Sequence, residues 1–284
     1  MKPGAVIVTY NSQDCIVAAV ESCLAQGLEI VVVDNASTDE TLARLAPFPG
    51  IRIIANTHNA GFAGGVNQGI AGLASDLALI LNPDAELKPG ALAKIVIFMD
   101  EHPRCGIAGS RIYNYDGTVQ ESCGEFDTWV GAYLRSSAWG EWPVFRKYAN
   151  GAELRAWEYD SARRVDIAIG AALAIRRTMM DAIGVFDEQF FLYHEEVDYA
   201  KRAADNGWET WYVPQSEAIH EGMGSAKGQY SVDARKQRSR RRYWIKHHGF
   251  GWYATLNAAL IGRYALYVGV AASAIVLGRR LFSR

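Results

Sequence analysis

The sequence predicts an α/β domain built on a mostly parallel sheet with helices on both faces. Three observations carry that prediction. Short apolar runs alternate with helical periodicity through the N-terminal half, the order that yields βαβ units. The run at residues 30–33 is apolar without alternation, so both of its faces are buried. Polar residues recur just past the runs: Thr9 and Asn11, Asp34 and Asn35, Asn82 and Asp84. In a parallel sheet those positions share one edge, where open α/β sheets bind ligands.

Taken in order, residues 5–8 form the first strand, ending at Thr9-Tyr10-Asn11-Ser12. A helix over 13–26 follows, closed by Gly27. The strand 30–33 ends at Asp34-Asn35-Ala36-Ser37-Thr38-Asp39, where Ser37 or Thr38 can cap a helix over 40–45. Residues 51–55 form a third strand. The stretch Gly61-Phe62-Ala63-Gly64-Gly65-Val66-Asn67-Gln68-Gly69 then leads into a helix reaching Ala74. Residues 77–81 are the fourth strand, stopped at Asn82-Pro83-Asp84 because Pro83 cannot continue a ladder.

A helix over 91–100 and a strand over 106–110 come next. Between Arg111 and Arg164 periodicity weakens, and Trp129, Trp139, Trp142 and Trp157 appear. Such rings can stack on sugar faces or fill an irregular, partly buried region. Residues 165–175 are apolar around Gly170. A helix ending at Asn206-Gly207 carries Val197, Ala200 and Ala204 on one stripe. Glu195 and Glu196 fall at its N-terminus, where the macrodipole favours charged carboxylates. Asp198 is spaced to pair with Arg202. Residues 210–213 read as a strand that Pro214 ends, and His220 follows.

Composition narrows the function. At 284 residues, 50% hydrophobic and 21% charged, the chain is an ordinary globular protein, and a net charge of −2 gives no reason to expect nucleic acid. Cys15, Cys23, Cys105 and Cys123 form no CxxC pair, which points to reduced thiols in a cytosolic protein. The first strand is too short for a signal-peptide core, so the expectation is a chain that is not secreted.

Chemistry concentrates in a few places. An Asn-x-Asp pair at a strand end can hold a hard divalent cation that in turn binds phosphate, or it can simply cap a turn. An acid past the second strand, Asp34, suits a ribose hydroxyl or a base N–H, or a helix cap. The glycines 61, 64, 65 and 69 do not fit GxGxxG after the first strand, which disfavours a dinucleotide site. They permit close backbone approach to a ligand or tight helix packing, and Asn67 among them contacts that ligand or satisfies a turn. An ionised carboxylate at 195 or 196 can take a proton from a hydroxyl. His220 is either a hydrogen-bonded structural residue or a second metal ligand beside Asp84.

Together these residues resemble glycosyltransferase family 2, and within it the bacterial rhamnosyltransferase-like branch. The matching segments are Thr9-Tyr10-Asn11, residues 31–39, residues 59–67, Leu81-Asn82-Pro83-Asp84, Gly170-Ala171, Phe186-Asp187 through Asp198, and Val213-Pro214 to His220. Singly they are weak; in this order and spacing they are strong. The resemblance implies a GT-A fold, with a nucleotide-sugar half (1–110), an acceptor half (111–228) and a tail (229–284). It implies that Thr9, Asn11 and Asp34 hold the nucleoside, with Asp39, Gly61, Asn67 and Asn82 as further nucleotide-side candidates. Asp84 matches the metal-binding acid of the family's DxD-type motif, Asn82 replacing its first acid, and His220 matches the metal-side histidine. The cation would be Mg²⁺ or Mn²⁺. Glu196 stands where the family's general base is an Asp, and Glu195 is the alternative base. Ile167 and Ile169 replace the Trp and Ser frequent before Gly170, which bears on the donor sugar.

The implied reaction is inverting glycosyl transfer, with dTDP-L-rhamnose as the first donor to try and a UDP-hexose second. A nucleotidyltransferase would show a basic Gly-rich loop where Thr9-Tyr10-Asn11-Ser12 stands, and a non-catalytic nucleotide-binding scaffold is the third reading. The tail carries Arg235, Lys236, Arg238, Arg240, Arg241, Arg242 and Lys246 without an acid among them. Residues 264–278, the longest uncharged part beyond Arg263, number 15, short of the roughly 20 a spanning helix needs. The expectation is therefore helices lying on the cytoplasmic membrane face, drawn by anionic lipids, with a polyprenyl-diphosphate-linked saccharide as acceptor. A spanning helix and a homo-oligomer interface are the alternatives.

Overall fold

The computed structural model describes residues 1–135, 157–221 and 229–281. Trp139 and Trp142 lie outside the described residues. The described residues form the strands β1 (Pro3–Thr9), β2 (Glu29–Asp34), β3 (Arg52–Ala55), β4 (Leu77–Leu81), β5 (Ala85–Leu87), β6 (Cys105–Tyr113), β7 (Cys123–Gly124), β8 (Arg163–Val165), β9 (Ile167–Ala168), β10 (Ala172–Arg176) and β11 (Glu209–His220). The helices are α1 (Ile16–Leu24), α2 (Thr41–Leu45), α3 (Gly61–Gly72), α4 (Ala91–Glu101), α5 (Trp129–Arg135), α6 (Arg177–Ile183), α7 (Glu195–Asp205) and α8 (Gln229–Leu281).

One nine-stranded sheet runs β3-β2-β1-β4-β10-β6-β11-β5, with β8 paired to β11. Its β3-β2-β1-β4 part is parallel. Beyond it the sheet is mixed: β10 enters antiparallel between β4 and β6, while β6 and β11 run parallel. The parallel pairing expected from the βαβ pattern is thus concentrated in the N-terminal half.

Strands β1, β2 and β4 bury both faces, and the period of two sorts their side chains. Ala5, Ile7, Ile30, Val32, Leu77, Leu79 and Leu81 pack with α1 and α4 in one core cluster. Their neighbours Val6, Val8, Val31, Val33, Ala78 and Ile80 pack with α3, α6 and α7 in the other. Each fully buried aliphatic side chain contributes about 1.5–3 kcal/mol of transfer free energy.

Four local expectations change. The glycine run does not precede α3 but forms it. Its glycines cost helix propensity, yet they let the helix sit against β1: a Cβ on Gly69 would lie 2.3 Å from Val6 Cγ1, and one on Gly65 2.7 Å from Val8 Cγ1. Neither Ser37 nor Thr38 caps α2; Asp39 Oδ1 accepts the Thr41 N–H instead, at 3.0 Å. The buried face of α7 is Glu195, Asp198, Tyr199, Ala200 and Ala203, whereas Ala204 is exposed. The helix packs through Tyr199, which stacks on Phe186 at 4.4 Å, a larger apolar surface than the alanines offer. Finally, β11 runs through Pro214, because a register shift between Val213 and Glu217 leaves the proline where no ladder donor is needed.

The chain divides into two compact units. One comprises the described parts of Met1–Phe126 and Leu154–Arg240, the other those of Asp127–Glu153 and Arg241–Arg284. In the second, Tyr243 and Trp244 are buried and Trp129 stacks on Tyr133. Helix α8 is broken at Gly249, whose φ of 82° and ψ of 157° are not helical. Beyond it Phe250, Trp252 and Ile261 are exposed. Among the described residues no helix is long and apolar enough to cross a membrane.

Candidate active site

The parallel register places the first polar residues side by side. Thr9 and Asp34 are Cα partners at the ends of β1 and β2, and Asn35 N–H donates to the Thr9 carbonyl at 2.9 Å. Thr9 is 1% exposed, and its hydroxyl oxygen is buried without a hydrogen-bond partner. The β1 and β2 loops are stitched together. Asn11, at φ 53°, accepts the Thr38 N–H through its side-chain oxygen at 2.8 Å and donates its own N–H to Ser37 Oγ at 2.9 Å. Asp34 turns back on its loop, Oδ2 accepting the Ser37 N–H and Oδ1 the Ser37 hydroxyl. It holds the loop through Ser37.

Asp39, a nucleotide-side candidate, is engaged within the protein. Its oxygens accept the Gln13 N–H, the Thr41 N–H and the Thr41 hydroxyl. Partial burial opposes its charge, but these hydrogen bonds prevail and hold the carboxyl below its ordinary value. It joins α2 to the Ser12 turn. Asn67 is likewise engaged within the protein. Its amide donates to the Phe186 carbonyl and to Glu188 Oε1, each at 2.9 Å, and its oxygen accepts the Phe186 N–H at 3.0 Å. These side-chain hydrogen bonds clamp the segment that leads to α7.

Gly61 is a contact point between the two halves of the sheet edge. It has φ 78°, and a Cβ there would stand 2.5 Å from the Phe191 carbonyl oxygen. Phe62 N–H donates to that same oxygen at 2.8 Å. Asn35, whose side chain is buried, holds the junction by donating to the Gly61 carbonyl at 3.0 Å and accepting the Ala60 N–H at 3.3 Å. Its place beside Asp34 was visible in the sequence; its task was not.

The strongest convergence joins residues far apart in the chain. His220 Nε2 lies 3.3 Å from Asp84 Oδ1 and 3.3 Å from Asn82 Nδ2. The opposite ring nitrogen, Nδ1, lies 3.2 Å from Gln120 Oε1. Gln120 Nε2 donates to the His220 carbonyl and to Asn114 Oδ1, which fixes the amide with its oxygen toward the ring. Nδ1 therefore carries a proton. Nε2 then either carries a second proton toward Asp84 or presents a lone pair for a metal ion. A carboxylate and an imidazole facing one point, oriented from behind by Gln120, suit Mg²⁺ or Mn²⁺ whose remaining ligands come from a phosphate-bearing substrate. Among the described residues no group of three His, Cys, Asp or Glu is placed to hold a metal ion. Gln120 lies in the weakly periodic stretch and carried no sequence signal.

Glu195 and Glu196 begin α7 after a turn in which Tyr193 (φ 69°) and His194 (φ 67°) are both left-handed. Such non-glycine residues persist only where the surroundings over-determine them. Oε2 of each glutamate is buried without a hydrogen-bond partner. The macrodipole does not act alone on either carboxyl. Burial, and then the Glu196 charge, push the Glu195 carboxyl well above its ordinary value. Burial raises Glu196 too, with Lys236 acting against it. Desolvation exceeds the dipole here, leaving a pair able to hold and release a proton. Asp198 is fully buried and paired with Arg202, whose Nε lies 3.0 Å from Oδ2. That guanidinium also donates to the Ile183 and Val185 carbonyls, locking the corner between α6 and α7. Of the aromatic candidates, Trp157 is occupied by Tyr159, Tyr212 and Arg163.

The model of the family described as glycosyl transferase family 2 matches residues 5–152. An N-acetylglucosaminyl-diphospho-decaprenol L-rhamnosyltransferase of Mycobacterium tuberculosis is 27% identical over 277 residues, covering 92% of this chain and 90% of the relative. Two solved structures share the fold. A mannosyltransferase from Pyrobaculum calidifontis in complex with GDP-Man and Mn²⁺ superposes with a TM-score of 0.60 at 18% identity, over 97% of this chain and 80% of the other. GalNAc-T7 with UDP, GalNAc and Mn²⁺ gives a TM-score of 0.58 at 17% identity, over 78% of this chain but only 44% of the other.

Proposed function

The chain belongs to glycosyl transferase family 2, and from that premise we propose an inverting, metal-dependent transferase that moves L-rhamnose from dTDP-L-rhamnose to a polyprenyl-diphosphate-linked saccharide. The observation that carries the reading is the meeting of Asn82, Asp84 and His220 at the carboxyl edge of the sheet. The name of the mycobacterial relative supports the sugar and the acceptor class.

Each residue then has a role. Thr9, Asn11 and the Asp34–Ser37 turn receive the nucleoside, and Asp84 and His220, with Asn82 beside them, hold Mg²⁺ or Mn²⁺. When bound, that cation neutralises charge on the leaving diphosphate. Glu196 takes the proton of the acceptor hydroxyl. The hydroxyl oxygen bonds to the anomeric carbon as the bond to the diphosphate oxygen breaks, and dTDP leaves from the opposite face. Burial of the glutamate pair raises its basicity. The basic residues of the tail and exposed Phe250, Trp252 and Ile261 fit a cytoplasmic membrane surface, where a lipid-linked acceptor is found.

A thermal-shift series with dTDP, UDP, GDP and CDP, each with and without Mn²⁺, tests the donor side. At a hundredfold excess over Kd a bound ligand adds about 2.7 kcal/mol. A Mn²⁺-dependent shift largest for dTDP is expected, and one largest for UDP would replace rhamnose by a hexose. Product analysis tests the reaction: release of free dTDP supports glycosyl transfer, whereas pyrophosphate would make the chain a nucleotidyltransferase. Binding without turnover on any lipid-linked saccharide would make it a scaffold.

A further inference from the structure

The turn before Glu195 is held from the far end of the chain. Ser239 Oγ, on the first part of α8, donates to the Leu192 carbonyl at 2.9 Å. One helical turn earlier, Lys236 Nζ lies 4.9 Å from the centroid of the Tyr193 ring, within cation–π range. The two contacts bracket the start of the left-handed pair Tyr193 and His194. Ser239 is 7% exposed, so its hydrogen bond is sheltered from water.

The same helix meets an electrostatic need. Glu195 and Glu196 each have a buried Oε2 without a hydrogen-bond partner, a setting that disfavours the charged form a base requires. Among the described residues, the titratable and charged groups acting on this pair and its turn include Glu195, Glu196, Tyr193, Lys236 and Arg235, and His194 stands directly before the pair in the chain. Of the two cations, Lys236 acts on Glu196 itself, while Arg235 acts on Tyr193.

We propose that Lys236 and Ser239 are positioning residues for the proton-accepting glutamate. Ser239 fixes the 192–194 turn that aims Glu196, and Lys236 supplies the cation that lets Glu196 carry a negative charge in its buried place. The first part of α8 is thereby part of the active site, not only a path to the tail. The proposal rests on Glu196 being the general base of a glycosyl transfer, and its test separates the two ideas.

The full-length chain and its K236Q, K236R, S239A and E196Q variants are compared in two ways. In the first, glutamate carboxyls are titrated by ¹³C NMR, with Glu196 assigned by the signal missing in E196Q. K236Q is expected to move the Glu196 midpoint up by roughly half a pH unit, the scale of an exposed charge pair. K236R is expected to leave it in place. In the second, turnover is followed against pH. K236Q should lower kcat and carry the acidic limb upward with donor KM unchanged, while S239A should lower kcat and leave the limb where it was. An unmoved midpoint in K236Q, or a rise in donor KM in place of the fall in kcat, overturns the proposal. A wild-type chain that turns over no nucleotide sugar sinks the transferase reading, and the titration then still decides whether Lys236 acts on Glu196.

Discussion

His220 Nε2 stands 3.3 Å from Asp84 Oδ1, although the two residues lie on opposite sides of the sequence. The fold brings them together because β11 pairs antiparallel with β5, setting His220 opposite Ala85, the residue after Asp84. Two electron-rich groups at that distance need a cation between them, either a proton on the ring or a metal ion.

If the proposed metal site is right, replacing either partner should remove Mn²⁺-dependent nucleotide binding. For D84N and H220A the thermal shift by dTDP with Mn²⁺ should fall to the shift seen with EDTA. Q120L, which removes the acceptor behind the ring, should weaken Mn²⁺ binding by about 10–100-fold, measured by Mn²⁺ titration. A Q120L chain with wild-type affinity would show that the Gln120 contact does not orient His220.

Glu196→Gln should lower kcat by about 10²–10⁴-fold while leaving the nucleotide Kd in place, read by steady-state kinetics beside calorimetry. Equal loss in E195Q but not in E196Q would transfer the base to Glu195.

The glutamate pair also sets a pH dependence of stability. A carboxyl whose folded pKa is raised contributes stability that is fully present below its unfolded pKa. That contribution is lost as pH rises through the folded value. Both glutamates are shifted upward, so the chain loses stability from the ordinary glutamate range upward. E195Q, neutral at every pH, should melt at the wild-type temperature in acid and higher than wild type at neutral pH, by about 1–3 kcal/mol. A Tm difference independent of pH would count against a buried charge at Glu195.

Gly69→Ala and Gly61→Ala should fail differently. At Gly69 the new Cβ meets Val6 Cγ1 at 2.3 Å, so α3 must lift from β1, at about 1–3 kcal/mol in urea unfolding. At Gly61 it meets the Phe191 carbonyl oxygen at 2.5 Å with φ at 78°, and the displaced segment is the one leading to Glu195. There kcat should fall as well.

Asn67→Ala removes the hydrogen bonds to Phe186 and Glu188. We expect a loss of about 1–3 kcal/mol in stability and a lower kcat, with the nucleotide Kd unchanged. A weaker Kd at constant kcat would return Asn67 to the nucleotide side.

Much of this was legible in the chain because it is local. Strand β4 occupies Leu77–Leu81 as the apolar run and Pro83 require, and the polar residues past β1, β2 and β4 share an edge because parallel strands in register must end together. Asp84 and His220 stood out as candidate oxygen and nitrogen ligands at strand ends. What only the tertiary structure decided concerns side chains with several partners to choose from. Asn67 and Asp39 are hydrogen-bonding residues in glycine-rich or polar loops, and sequence spacing cannot say whether such a group meets a ligand or a distant backbone. Gln120 and Ser239 act across the fold on His220 and Leu192. The charge state of Glu195 and Glu196 was read from the helix dipole, a local quantity. It is instead governed by desolvation, which depends on everything packed around the first turn of α7 and is the larger effect.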